Sequence, residues 1–153
     1  MKLILAAVGR FRSAQLAAAA GEYLKRLRRY ASPEVLDLRE ERGEEAAARA
    51  REAGRLSSAL RDGDFLVLCD ERGRQMSSAE LAAFLAQRER AGRGRTVFVV
   101  GGPYGVDPAL RERAGLVLAL SRLTLPHELA RLVLAEALYR AFTILRGEQY
   151  HHQ

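Results

Sequence analysis

The chain has 153 residues, of which 48% are hydrophobic and 29% charged. That balance suits one globular domain, residues 1–153, with a core of its own, and it excludes a disordered chain. The formal net charge is +6, from 25 basic and 19 acidic residues, and only Lys2 and Lys25 among the basic ones are lysines. A surface rich in arginine attracts polyanions and can hold phosphate with a bidentate fork. The joint abundance of Arg and Ala equally fits a bias of genome composition. Cys69 is the single cysteine, which gives neither an internal disulfide nor a zinc site, and the composition suits a reducing compartment. In its apolar surroundings Cys69 reads first as a small buried hydrophobe. The longest apolar stretch, residues 3–8, falls far short of the ~20 residues of a membrane span. It also makes a poor signal peptide. The expectation is a soluble, cytoplasmic protein without a membrane partner.

Residues 3–8 form a near-continuous apolar run, the pattern of a strand buried on both faces. From Ser13 to about residue 30, Leu16, Ala20, Tyr23, Leu24 and Leu27 share one helical stripe. A second strand is expected at 35–38, then an Ala-rich helix from 43 to about 60. The third strand, 65–69, carries Cys69 and runs into Asp70-Glu71-Arg72-Gly73. That segment reads either as a plain turn or as a strand end whose Asp70 holds a ligand hydroxyl. Ser77 and Glu80 form a capping box for a helix with Leu81, Phe84 and Leu85, stopped by Gly92. The fourth strand, 96–100, meets Gly101-Gly102-Pro103-Tyr104-Gly105. Asp107-Pro108 starts a short helix as N-cap and first-turn proline, which ends before Gly115. The fifth strand, 116–120, leads into Leu120-Ser121-Arg122-Leu123-Thr124-Leu125-Pro126-His127. Pro126 opens a last helix with a stripe of Leu129, Leu132, Val133, Leu138 and Phe142, ending at Gly147. The tail is Gln149-Tyr150-His151-His152-Gln153.

Strand and helix alternate five times, which implies a parallel sheet covered by helices on both faces. Ligands in such sheets bind beyond the carboxyl ends of the strands. Three glycines and a proline in five residues after strand four suit a binding loop, because glycine permits positive φ and close approach to the backbone. The segment carries neither a G-x-G-x-x-G fingerprint nor a P-loop. The stretch before Pro126 sets Ser121, Arg122, Thr124 and His127 near a helix start, whose free backbone groups can bond a ligand. In the tail, Tyr150 followed by His151 and His152 could bind a metal, but no acidic or Cys partner stands at ligand spacing; a histidine there could instead move a proton. Glu136 and Arg140 lie four apart, either as a simple pair or with Arg140 turned to a phosphate.

Taken together these segments resemble the RlmH-type methyltransferases of the SPOUT superfamily. The likeness runs from Met1-Lys2-Leu3-Ile4-Leu5 and Glu22-Tyr23-Leu24-Lys25-Arg26 through the glycine loop to Leu138-Tyr139-Arg140-Ala141 and Tyr150-His151. The glycine loop, the Leu-Ser-x-Leu-Thr-Leu-Pro-His stretch and the Tyr-His tail carry it. The resemblance implies a parallel-sheet α/β-knot fold, its C-terminal part threaded into a trefoil knot, an exception to the usual unknotted topology. It also implies a homodimer that binds S-adenosylmethionine without a metal. The implied substrate is a pseudouridine of large-subunit ribosomal RNA, methylated at N3 on assembled ribosomes. By the same resemblance Cys69, Gly101, Gly102 and Leu120, Ser121, Arg122, Leu123, Thr124 and Leu125 line the cofactor pocket. Tyr150, His151 and Arg140 are the expected catalytic residues, with His151 a candidate proton acceptor and water the alternative. Arg140 and the basic first helix are candidate phosphate contacts. Two departures are visible: Cys69 stands where relatives more often have Leu, and His152-Gln153 where they often have Arg and Glu. A non-enzymatic RNA- or ribosome-binding module on the same scaffold is the alternative function. A flavodoxin-like nucleotide domain is a third, disfavoured by the missing phosphate motif.

Overall fold

The computed structural model describes residues 1–151. Five strands, β1 (Lys2–Val8), β2 (Ser32–Leu38), β3 (Phe65–Gln75), β4 (Thr96–Val100) and β5 (Leu116–Ala119), form one sheet in the order β2-β1-β4-β3-β5. Every pairing is parallel. The helices are α1 (Ala14–Leu27), α2 (Glu45–Ala59), α3 (Ser78–Ala91), α4 (Pro108–Arg113) and α5 (His127–Leu145).

The period-2 geometry of strands explains why the apolar runs are unbroken. Leu3, Leu5, Ala7, Val67, Phe98 and Val100 point to one face and pack against α1, α3 and α5. Ile4, Ala6, Val8, Leu66, Leu68, Val97 and Val99 point to the other and pack with Leu56 of α2 and Leu110 of α4. Both faces are covered, so alternation of apolar with polar residues has no place in the central strands. The two edges are blunted. β2 carries Pro33, which cannot donate to a ladder, and β5 is only four residues long.

β3 departs from the expected turn after Cys69. The strand continues to Gln75, and Cys69 and Arg74 both pair with Leu118, so residues 70–73 form a bulge. Polar Asp70-Glu71-Arg72 looks like a turn because it faces away from the core. The ladder to β5 resumes beyond it. Gly73 is required here by close approach: a Cβ would stand 2.6 Å from the Val117 carbonyl oxygen. The expected capping box of α3 is present, with Ser77 Oγ accepting from the Glu80 amide and the Glu80 carboxylate from the Ser77 amide. No helix among the described residues is long and apolar enough to cross a membrane.

Candidate active site

The carboxyl ends of β3, β4 and β5 open into a cleft of about 690 Å³, the size range of sites for small molecules. Its walls come from three segments: the end of β3 at Cys69 and Asp70, the glycine loop after β4, and the connection from β5 to α5. Of the residues expected in a cofactor pocket, Cys69, Gly101, Gly102, Leu120, Ser121, Leu123, Thr124 and Leu125 line this cleft. Arg122 is exposed and stands outside its walls.

The glycine loop is bare backbone by necessity. A Cβ on Gly101 would lie 2.7 Å from Val106 Cγ2 and 3.1 Å from the Gly105 carbonyl oxygen. One on Gly102 would lie 2.9 Å from Val8 Cγ1. Gly105, at φ +78°, closes the turn by donating its amide to the Gly102 carbonyl at 3.0 Å. Opposite, Leu120 and Leu125 are half-buried against the core, whereas Leu123 is 76% exposed. Thr124 donates its hydroxyl to Glu71 Oε2 at 2.5 Å, tying the β5–α5 connection to the bulge of β3 across 53 positions of sequence.

Asp70 is not a free carboxylate. Arg72 donates to it from Nε at 3.1 Å and from Nη2 at 3.0 Å, and Arg111 of α4 from Nη1 at 2.7 Å. The Arg72 hydrogen bonds hold its pKa below the usual carboxylate range. Asp70 is therefore ionised and neutralised, which suits it to fixing the bulge rather than accepting a proton from substrate. Burial pushes the Cys69 thiol up to about 12. It is a protonated apolar wall, without the thiolate that nucleophilic chemistry needs. Among the described residues no group of His, Cys, Asp or Glu side chains could hold a metal ion.

Tyr150, His151 and Arg140 gather into a second cluster. Arg140 forms an ion pair with Glu136, and its Nη1 lies 3.5 Å from His151 Nδ1. Tyr150 donates its hydroxyl to the same Glu136 carboxylate at 3.2 Å, sits under the Arg140 guanidinium and meets the Tyr139 ring edge-on at 4.8 Å. Burial first, and then the neighbouring Tyr23 hydroxyl and Glu136 carboxylate, raise the Tyr150 pKa. Its phenol stays protonated and acts as a donor. His152 lies outside the described residues.

The two groups are not together in one chain. His127, in the cleft wall, begins α5, and Arg140 is 13 residues along it. At 1.5 Å per residue that is about 20 Å of helix. Sequence reasoning named the members of both groups but missed the clasps around them. Arg111 reaches Asp70 from 41 positions away, and Glu71 is the partner of Thr124. No local spacing signals such pairs, which exist only once the strands are stacked.

Comparison with known proteins agrees with the fold. A family model described as "Predicted SPOUT methyltransferase" matches residues 1–151. The chain is 46% identical, over all of both sequences, to a protein of Geobacter sp. (strain M21) named ribosomal RNA large subunit methyltransferase H. It is 42% identical to a protein of the same name from Porphyromonas gingivalis, again over the whole of both. Among solved structures, a "probable methylase family protein" of Haemophilus influenzae matches 99% of this chain and 70% of its own, with TM-score 0.60 and 13% identity. A protein titled "probable rRNA-methyltransferase", from Porphyromonas gingivalis, matches 95% and 70%, with TM-score 0.54 and 15% identity. At these identities the structures support the fold alone. The family match over nearly the full length, on a sheet whose carboxyl ends carry a bare glycine loop, shows that the chain belongs to the SPOUT methyltransferase family.

Proposed function

We propose that the whole chain is one methyltransferase domain. It uses S-adenosylmethionine to methylate N3 of a pseudouridine in large-subunit ribosomal RNA, on assembled ribosomes in the cytoplasm. The observation that carries this reading is the cleft itself, in a chain similar along its entire length to proteins named for that activity. The residues present fit the cofactor. Gly101 and Gly102 have no room for a Cβ against Val106, the Gly105 carbonyl and Val8, so the loop presents bare backbone to the cleft, and Leu120 and Leu125 offer an apolar wall to a purine. The peptide groups of 120–125 are the candidates to read its edge. When bound, S-adenosylmethionine supplies an electrophilic methyl group.

The target nitrogen is an imide N–H. Its bond to carbon forms as the sulfur–carbon bond breaks, and its proton leaves to a base or to water. His151 is the proposed acceptor. Tyr150, a fixed donor, and Arg140, a fixed cation, position the base and its phosphate. Placement of nitrogen and methyl in line supplies much of the acceleration. Only an unpaired or extruded base can enter such a cleft, which suits a hairpin loop.

The separation of about 20 Å between cleft and tail supports a homodimer, in which Tyr150 and His151 of the partner subunit complete each cleft. Exposed Leu123 at the cleft mouth is apolar surface that such a partner would cover. The C-terminal half of the chain is proposed to thread into the trefoil knot of its family.

The test is transfer of a labelled methyl group from S-adenosylmethionine to ribosomes from cells that lack this modification, followed by digestion and nucleoside chromatography. Label in 3-methylpseudouridine is the expected result. Binding to ribosomes with neither cofactor binding nor transfer would establish the non-enzymatic alternative instead.

A further inference from the structure

The glycine loop has the cleft on one side and helix α2 on the other. From α2, Arg49 donates Nη1 to the Tyr104 carbonyl at 3.3 Å. Its Nε is buried and has no hydrogen-bond partner among the described residues. Three positions on, Glu52 is 5% exposed. One of its carboxylate oxygens accepts the Glu41 amide at 3.0 Å. The other lies 3.6 Å from the place a Cβ on Gly102 would take. Arg49 and Glu52 line a cavity of about 20 Å³ behind the loop, together with Val8, Gly101, Gly105 and Val106. Neither lines the cleft in front.

Charged side chains in this position are unfavourable for packing alone. A buried donor without a partner costs free energy that an apolar residue would avoid. The core needs of α2 are already met by Ala48 and Leu56. What Arg49 does is hold a segment that cannot hold itself. Three glycines within residues 101–105 leave the loop a large conformational entropy to lose, and Pro103 removes one of its amide donors. Among the described residues, besides the Gly102–Gly105 turn, the Arg49 bond to Tyr104 is the hydrogen bond that reaches the loop from another element.

We infer that Arg49 is a positioning residue for the transfer reaction. Through the Tyr104 carbonyl it fixes the glycine loop in its cofactor-binding form, while Glu52 closes the space behind Gly102. This rests on reading the cleft as the S-adenosylmethionine site. Arg49 does not itself line the cleft and acts only through the loop.

The test compares the wild-type protein with Arg49→Met and Arg49→Lys. Affinity for S-adenosylhomocysteine is read by calorimetry, steady-state kinetics are read on ribosomes, and amide exchange is read in residues 102–106. R49M is expected to weaken cofactor binding roughly tenfold, the factor carried by one charge-assisted hydrogen bond. Its loop amides should exchange faster. Its KM for ribosomes, and its kcat at saturating cofactor, should stay within about twofold of wild type. R49K, whose ammonium can still donate to the carbonyl, should recover much of the loss. Wild-type affinity in R49M, or a loss shared equally by kcat and both KM values, overturns the inference. Should R49M not fold, Arg49→Ala, which also lacks a donor, takes its place with the same expectation and the same overturning result. If the wild-type protein itself binds no S-adenosylhomocysteine, the cofactor reading fails. Unchanged exchange of 102–106 in R49M would then separately overturn the role of Arg49.

Discussion

At the scale of single residues, two positions divide the account into binding and chemistry. Gly101→Val would set a side chain against Val106 and the Gly105 carbonyl. It should weaken S-adenosylmethionine binding by roughly tenfold or more, as a displaced cradle loses its main-chain contacts; calorimetry checks this. His151→Ala should lower kcat by about 10²–10⁴, the range of general acid–base catalysis, and leave that affinity unchanged. Single-turnover transfer measures the first and calorimetry the second, and an equal fall in both would contradict the division. The glycines and the Tyr-His tail were legible in the sequence because each is a local peculiarity. The Arg72–Asp70–Arg111 clasp was not, because Arg111 comes from a different helix. Asp70 read as a candidate ligand contact for the same reason: nothing near it in sequence announces two guanidinium partners. Arg122 was expected in the pocket wall, but the structure leaves it exposed beside that wall.

At the scale of elements, the capping box of α3 was readable from Ser77 and Glu80 alone. Ser77→Ala should lower stability by about 1 kcal/mol, the usual value of an N-cap, measured by chemical denaturation. The extension of β3 was not readable, because a polar bulge and a polar turn have the same composition. Only the Cys69 and Arg74 pairings with Leu118 distinguish them. At the opposite end of the sheet Asp64, with a side chain 2% exposed, binds Arg95 at 2.5 Å. It also accepts the Arg61 amide at 2.8 Å. The Arg95 bond holds the Asp64 pKa below its ordinary value. A folded-state pKa lower than the unfolded one adds stability that is complete above about pH 4 and is lost as pH falls through the folded value. Stability should therefore drop as pH falls below about 4, and Asp64→Asn should flatten that acid limb. At neutral pH the same substitution should cost about 3–5 kcal/mol, since it leaves the Arg95 charge with a weakened partner in a buried place. Denaturation curves across pH measure both effects.

For the whole molecule, alternation of strand and helix was enough to foresee a parallel sheet between two helical layers. It could not give the strand order, because long apolar runs fit any interior position. Nor could it show that α5 carries the cleft at one end and Arg140 near the other. In the proposed dimer that distance, about 20 Å along the helix, is bridged by the tail of a second copy. The chain should accordingly sediment as a dimer. A twofold dimer has two equivalent composite clefts, each with its loop from one subunit and its tail from the other. The most direct test mixes Gly101→Val chains with His151→Ala chains under conditions that exchange subunits, and measures methyl transfer to ribosomes. In a mixed dimer one cleft carries both defects and the other carries neither. Random exchange makes about half the dimers mixed, so the mixture should recover on the order of a quarter of wild-type activity from two inactive proteins. Recovery no greater than the sum of the two separate variants, in a mixture shown to have exchanged, would contradict a cleft completed by the partner's tail.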